Sequence, residues 1–165
     1  MNELTIRPVK EADSEAIAGI YNYYVRETTV TFDEEPLTVA RMRERVAGIS
    51  RSWPYLVAEA AGEIIGYCYV HPWKEKVAYG RTLETTVYLR NGMTSRGVGR
   101  RLMEALIGEC RSRGGIHSLI ACITTENEGS RRFHASLGFE EVSHFSEVGY
   151  KFGRYLDVTD MELLL

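Results

Sequence analysis

Residues 83–102, LETTVYLRNGMTSRGVGRRL, constrain this chain more than any other stretch. Leu83 to Arg90 is rich in β-branched and aromatic residues and predicts a strand. A polar turn and Gly97-Val98-Gly99 follow, and then the period changes. Val98, Leu102, Ala105, Leu106 and Cys110 recur at three- and four-residue spacing, which predicts one apolar face of a helix. Glycines at such a junction let a ligand approach the backbone closely. The unpaired N–H groups of the first helical turn, with the helix dipole, favour an anion. Arg96, Arg100 and Arg101 add positive charge at the rim, so the stretch reads as a diphosphate cradle. The same pattern also suits a tight strand-to-helix connection, and the loop alone does not choose. Leu102 stands where a third Rossmann glycine would be, and no Gly-Lys-Ser/Thr follows for a P-loop.

The bulk numbers narrow the class. A chain of 165 residues with 44% hydrophobic and 26% charged residues predicts one soluble domain over 1–165. A net charge of −3 argues against a general nucleic-acid binder. Cys68, Cys110 and Cys122 sit in apolar runs without paired spacing, which predicts buried thiols, no metal site and a reducing compartment. No basic-then-apolar leader and no apolar run of membrane-spanning length is present, so a cytoplasmic protein that does not engage membranes is expected.

In chain order, Leu4 to Pro8 predicts a first strand, and Asp13 or Ser14 the cap of a helix with Ile17, Ile20, Tyr21 and Tyr24 inward. Residues 28–36 carry an aromatic and several acids and read as a lid or plain surface loop. Thr38 caps a second helix, with Val39, Met42, Val46 and Ile49 inward. Strands over 55–60 and 64–70 form a hairpin around Ala61-Gly62-Glu63. A long mixed connection over 71–82 leads to the opening strand. Gly114-Gly115 closes the helix after the cradle, and the apolar run 118–123 predicts a strand buried on both faces. A crossover from strand 83–90 to strand 118–123 makes those two parallel. A short helix begins near Asn127 and ends at Gly138. Two closing strands, 139–148 and 157–164, are joined by a loop over 149–155. The fold class is therefore α/β: a central twisted mixed sheet flanked by helices.

Glu84 inside the strand before the loop, the Gly97-Val98-Gly99 cradle and Asn127 to Phe139 occur in an order that resembles the GNAT superfamily of acetyl-CoA-dependent N-acetyltransferases. The likeness runs from Ile6-Arg7-Pro8 to the last strand. Within the superfamily the chain most resembles the phosphinothricin acetyltransferase group. The residues that carry this are Ile20-Tyr21-Asn22, Val30-Thr31-Phe32, Glu35-Pro36, Pro72-Trp73-Lys74, Ala78-Tyr79, Glu84-Thr85-Thr86-Val87-Tyr88, His134 and Gly149-Tyr150-Lys151. Two positions depart. Thr94 stands where the loop usually opens with Gln or Arg. Lys74 and Lys76 stand in a segment that carries arginines in relatives acetylating amino-acid analogues, and lysine cannot clasp a carboxylate in a fork.

The resemblance implies the acyl-CoA N-acyltransferase fold and direct acetyl transfer from acetyl-CoA to a primary amine, with no metal. It implies that the strands around 83–90 and 117–123 splay to admit the pantetheine arm. The arm would meet the backbone of Val87, Tyr88 and Leu89, and also Asn127 and Ser130, either of which could equally cap its helix. The diphosphate would sit on Thr94, Ser95, Arg96, Gly97, Val98, Gly99, Arg100 and Arg101. Glu84 is the expected general base, against a strand-end carboxylate in solvent or a salt bridge. His134 is expected to move the thiol proton, against a helix-surface histidine. Phe32, Lys76, Tyr79 and Tyr155 are expected at the acceptor, though each aromatic equally suits core packing. A small amino-acid-like acceptor and a homodimer are expected. The alternatives are another amine or a protein N-terminus as acceptor, or a non-catalytic acyl-CoA-binding module.

Overall fold

The computed structural model describes residues 3–165. Its strands are β1 (Leu4–Pro8), β2 (Tyr55–Ala60), β3 (Glu63–Pro72), β4 (Thr82–Leu89), β5 (Ser118–Thr124), β6 (Glu140–Lys151) and β7 (Arg154–Leu164). Its helices are α1 (Ser14–Glu27), α2 (Val39–Ser50), α3 (Val98–Arg113) and α4 (Glu128–Ser136), with 3-10 turns at Glu11–Asp13 and Val77–Tyr79. The strands form one mixed sheet in the order β1-β2-β3-β4-β5-β7-β6. β4 and β5 pair in parallel; β5 with β7 and β6 with β7 are antiparallel. Among the described residues no helix is long and apolar enough to cross a membrane.

Contacts cluster in two compact units. One comprises 3–23, 37–71 and 86–114, the other 24–36, 72–85 and 115–165. In the first, β2 joins β1 and β3 in antiparallel ladders. The β2–β3 turn is Ala61–Gly62, both at positive φ, the hand that matches strand twist in a two-residue hairpin. α3 packs on β1 and β2. Its buried stripe is wider than the periodicity suggests, with Met103 and Ile107 joining Val98, Leu102, Leu106 and Cys110. Ala105 is only half-buried. Thr38 caps α2 by accepting the Arg41 amide at 3.2 Å. Met42 and Val46 are buried as expected, but Val39, in the first turn, is exposed. The start of α1 also differs. A 3-10 turn precedes the helix, and Asp13 accepts the Lys10 amide at 2.7 Å and two bonds from Arg7 at 2.9 Å. Arg7 holds the Asp13 carboxyl below its ordinary range.

In the second unit, α4 packs on β5 and β6. Leu83, Leu119, Ile123, Phe139, Leu156 and Met161 are buried. The expected 149–155 loop is not a loop. Tyr150 pairs with Tyr155 and Lys151 with Arg154, so the strands run on to a two-residue turn at Phe152–Gly153. The glycines at 149 and 153 read as loop signals because composition does not show which of them turns the chain.

Candidate active site

The proposed cradle lies wholly in the first unit. Residues 90–97 form successive turns between β4 and α3, and Ser95 and Gly97 take positive φ of 64° and 77°. Left-handed residues among right-handed ones line up backbone N–H groups as an anion-binding concavity. Gly97 is the N-cap of α3 and carries no side chain to close the end of the helix, and a Cβ built there meets nothing within 4 Å. Thr94, Ser95, Arg96, Gly97 and Arg100 are exposed, while Val98 and Gly99 are buried at the first turn. An anionic diphosphate fits open, undecorated amides of this kind. Two of the arginines are engaged within the protein. Arg100 pairs with Glu104 at 3.0 Å and Arg101 donates to the Leu4 carbonyl at 2.9 Å.

On β4 next to the cradle, Val87, Tyr88 and Leu89 are half-buried. The Tyr88 ring meets Tyr21 edge-on at 5.4 Å and Tyr67 at 5.7 Å. Leu89 faces Gly66, where a side chain would collide with it. The Tyr88 and Leu89 side chains are thus engaged in packing.

Glu84 lies on β4 in the second unit. The β4–β5 ladder covers Thr82–Ser118, Leu83–Leu119 and Glu84–Ile120 and stops there, while β4 goes on to Leu89 and β5 to Thr124. Glu84 is half-buried at the end of the ladder. A neighbour the sequence did not assign is Cys122. It was expected among buried thiols, but it is exposed, unlike Cys68 and Cys110. Alternation along β5 puts Cys122 on the same sheet face as Ile120, hence of Glu84, and its register partner on β7 is Asp160. Desolvation first, then the Glu84 and Asp160 carboxylates, push its thiol well above the ordinary range. Burial likewise pushes Cys110 up to about 11.

Asn127, Ser130 and His134 form one group on α4. Asn127 caps the helix, its Oδ1 accepting the Ser130 amide at 3.1 Å. His134 Nδ1 lies 2.8 Å from the Ser130 carbonyl and 3.3 Å from its hydroxyl. A carbonyl only accepts, so Nδ1 carries the hydrogen and Nε2 the lone pair. The ring is buried, edge-on to Phe133 at 5.3 Å and to Phe139 at 5.2 Å. It is therefore no helix-surface histidine. Burial lowers its pKa from 6.5, and the bond to Ser130 offsets this only in part. The unfolded chain thus binds this proton more readily than the folded one, and the contribution to stability falls as pH drops. It is complete above the unfolded value of 6.5 and is lost as pH falls through the lowered folded one. Between about pH 7 and about pH 5, His134→Gln should flatten the fall in Tm seen with the parent chain; an unchanged slope would contradict this.

The residues expected at the acceptor occupy three places in the second unit. Phe32, 40% exposed, lies against Gly149 of β6. Tyr79 meets Trp73 edge-on at 5.4 Å, with the Lys74 ammonium 4.2 Å from the Trp73 ring centre and 5.3 Å from that of Tyr79. Lys76 is exposed before the Val77–Tyr79 turn. Tyr155 is 64% exposed on the β6–β7 hairpin and meets Tyr150 at 5.1 Å, so it is not packed in the core. Among the described residues no group of three or more His, Cys, Asp or Glu could hold a metal ion.

Comparison with known proteins identifies the family. The model of the acetyltransferase (GNAT) domain matches residues 6–159. A phosphinothricin N-acetyltransferase of Streptomyces coelicolor is 39% identical over 160 residues, covering 94% of this chain and 93% of its own. An L-methionine sulfoximine/L-methionine sulfone acetyltransferase of Pseudomonas paraeruginosa is 37% identical, covering 98% and 94%. Among solved structures, a phosphinothricin acetyltransferase of Sinorhizobium meliloti in complex with acetyl-CoA superposes with a TM-score of 0.94 at 32% identity, covering 98% of this chain and 88% of that one. The chain belongs to the GNAT family of N-acetyltransferases.

Proposed function

We propose that the chain, as a single domain, transfers acetyl from acetyl-CoA to the primary amine of a small amino-acid-like molecule such as phosphinothricin, methionine sulfoximine or methionine sulfone. The observation that carries this reading is the content of one strand. β4 holds Glu84 where its ladder with β5 stops, then Val87 to Leu89, and it feeds directly into the open amides before α3. In a strand, three residues span about 10 Å, so base and pantetheine-binding backbone are near by covalent geometry alone.

Acetyl-CoA, when bound, supplies an activated acetyl thioester. The amides over 94–100 hold its diphosphate, with Arg96 and Arg100 adding charge, and Asn127 and Ser130 line its arm. A backbone N–H of β4, that of Val87, stabilises developing negative charge on the acetyl oxygen. The acceptor arrives as an ammonium ion, which has no lone pair to attack with. Glu84 takes that proton, directly or through a water. His134, kept neutral by burial, takes the second proton of the attacking nitrogen at Nε2 and hands it to the departing CoA thiolate, so it serves as a relay rather than as a standing acid. Phe32, Tyr79 and Tyr155 wall the acceptor, and Lys76 pairs with its carboxylate as a point charge. Holding both substrates in line supplies much of the rate.

Two further features belong to this reading. β6 is an edge strand, and Val142, Phe145, Val148, Tyr150 and Phe152 are exposed on it and on its turn, a patch that suits a homodimer. Three unpaired cysteines suit the cytoplasm. The test is CoA release from a panel of phosphinothricin, methionine sulfoximine, ordinary amino acids and peptides, on material whose mass is read by sedimentation. Turnover of the first two by a dimer is expected. Turnover of peptides alone would replace the acceptor class, and a monomer would remove the dimer.

A further inference from the structure

Residues 28–36 have no regular structure, yet they are fastened at several points. Thr124 donates its hydroxyl to the Thr29 carbonyl at 2.6 Å, and the Thr29 hydroxyl meets Glu126 Oε1 at 2.5 Å. Both Glu126 oxygens accept from Arg154 at 2.8 Å. That pairing first, then Thr29, holds the Glu126 carboxyl down at about 2. Further along, Lys151 Nζ donates to the Thr31 carbonyl at 2.8 Å and stands 5.0 Å from the Phe152 ring centre. Phe32, the next residue, lies over Gly149, where any Cβ would run into the ring.

Lys151 is the unusual member. It is 1% exposed at the end of β6, while its chain neighbours Tyr150 and Phe152 are 58% and 57% exposed. Burial lowers its pKa, while Asp33 and Glu34 of the same segment favour its charge. Burying an ammonium is costly, and a methionine would fill similar space without that cost. What the ammonium adds is direction: a donor that fixes one backbone carbonyl. β6 presents Gly149 and Lys151 on one face, two residues apart, and Thr31 and Phe32 are consecutive. Amine and glycine together therefore set where the Phe32 ring lies, with 40% of that residue still open to a ligand.

We infer that Lys151 is a positioning residue for the acceptor: through the Thr31 carbonyl it seats Phe32 on Gly149 and so shapes the acceptor pocket. This rests on the proposed function, in which Phe32 walls that pocket. Lys151→Met should raise the acceptor KM by about tenfold or more while the acetyl-CoA KM stays within about twofold. Limited proteolysis should then cut within 28–36 faster. An unchanged acceptor KM, or an equal rise in both KM values, would overturn the inference. If Lys151→Met does not fold, Gly149→Ala and Phe32→Ala decide singly and together. Gly149→Ala should raise the acceptor KM in the parent chain and have little effect beside Phe32→Ala, whereas additive effects would overturn the proposal. If the parent chain acetylates no amine, the functional reading fails. The proteolysis arm still reports the clasp, so the two failures are distinguishable.

Discussion

Glu84→Gln is expected to lower kcat by about 10²–10⁴-fold while the acetyl-CoA KM stays within about twofold. Glutamine keeps the shape and most hydrogen-bonding capacity of the side chain but cannot take a proton. The position is half-buried at the end of a ladder, so the substitution leaves no charge stranded in the core. A readout specific to a base is the pH profile. The variant can use only acceptor that is already deprotonated, so its rate should keep climbing toward the acceptor's own amine pKa, beyond where the parent enzyme levels off. Near-normal kcat, or a uniformly scaled profile, would remove Glu84 from proton transfer.

Gly97→Asp is expected to raise the acetyl-CoA Kd by at least about a hundredfold. Two like unit charges about 5 Å apart at an effective dielectric of about 20 repel by roughly 3 kcal/mol, and a diphosphate offers more than one. The fold should tolerate the change. Gly97 is exposed, a Cβ there meets nothing within 4 Å, and aspartate is among the residues that adopt positive φ more readily. A carboxylate at a helix N-terminus also favours the helix. Binding should therefore collapse while Tm moves little, and the loss should shrink as salt rises. Unaltered affinity by calorimetry would place the diphosphate elsewhere.

The strand–loop–helix core was legible because each part carries its own local signal: β-branched density in β4, Gly97 and Gly99 at the junction, and Gly114-Gly115 at the end of α3. The Ala61–Gly62 turn was legible for the same reason. What escaped depended on partners distant in sequence. An apolar run marks β5 as buried but does not say that Cys122 turns toward the Glu84 face opposite Asp160. The Arg96 to Arg101 cluster looks uniformly available, but Glu104 and the Leu4 carbonyl engage two of its members. Residues 149–155 look like a loop by composition and are held as strands by cross-strand pairing. Lys151 looks like a surface lysine, yet it is buried and bonded to the Thr31 carbonyl of the returning 28–36 segment. His134 could be read as exposed or catalytic, and packing between two phenylalanines is what makes it buried and neutral.

Acetyl transfer to an amino-acid-like amine is tested by incubating the purified chain with acetyl-CoA and either phosphinothricin or methionine sulfoximine and following both products by mass spectrometry. N-acetylated acceptor and free CoA should appear in equal amounts, at a rate that depends on Glu84. Bound acetyl-CoA with no acetylated amine from these or any other amino-acid-like acceptor would contradict it.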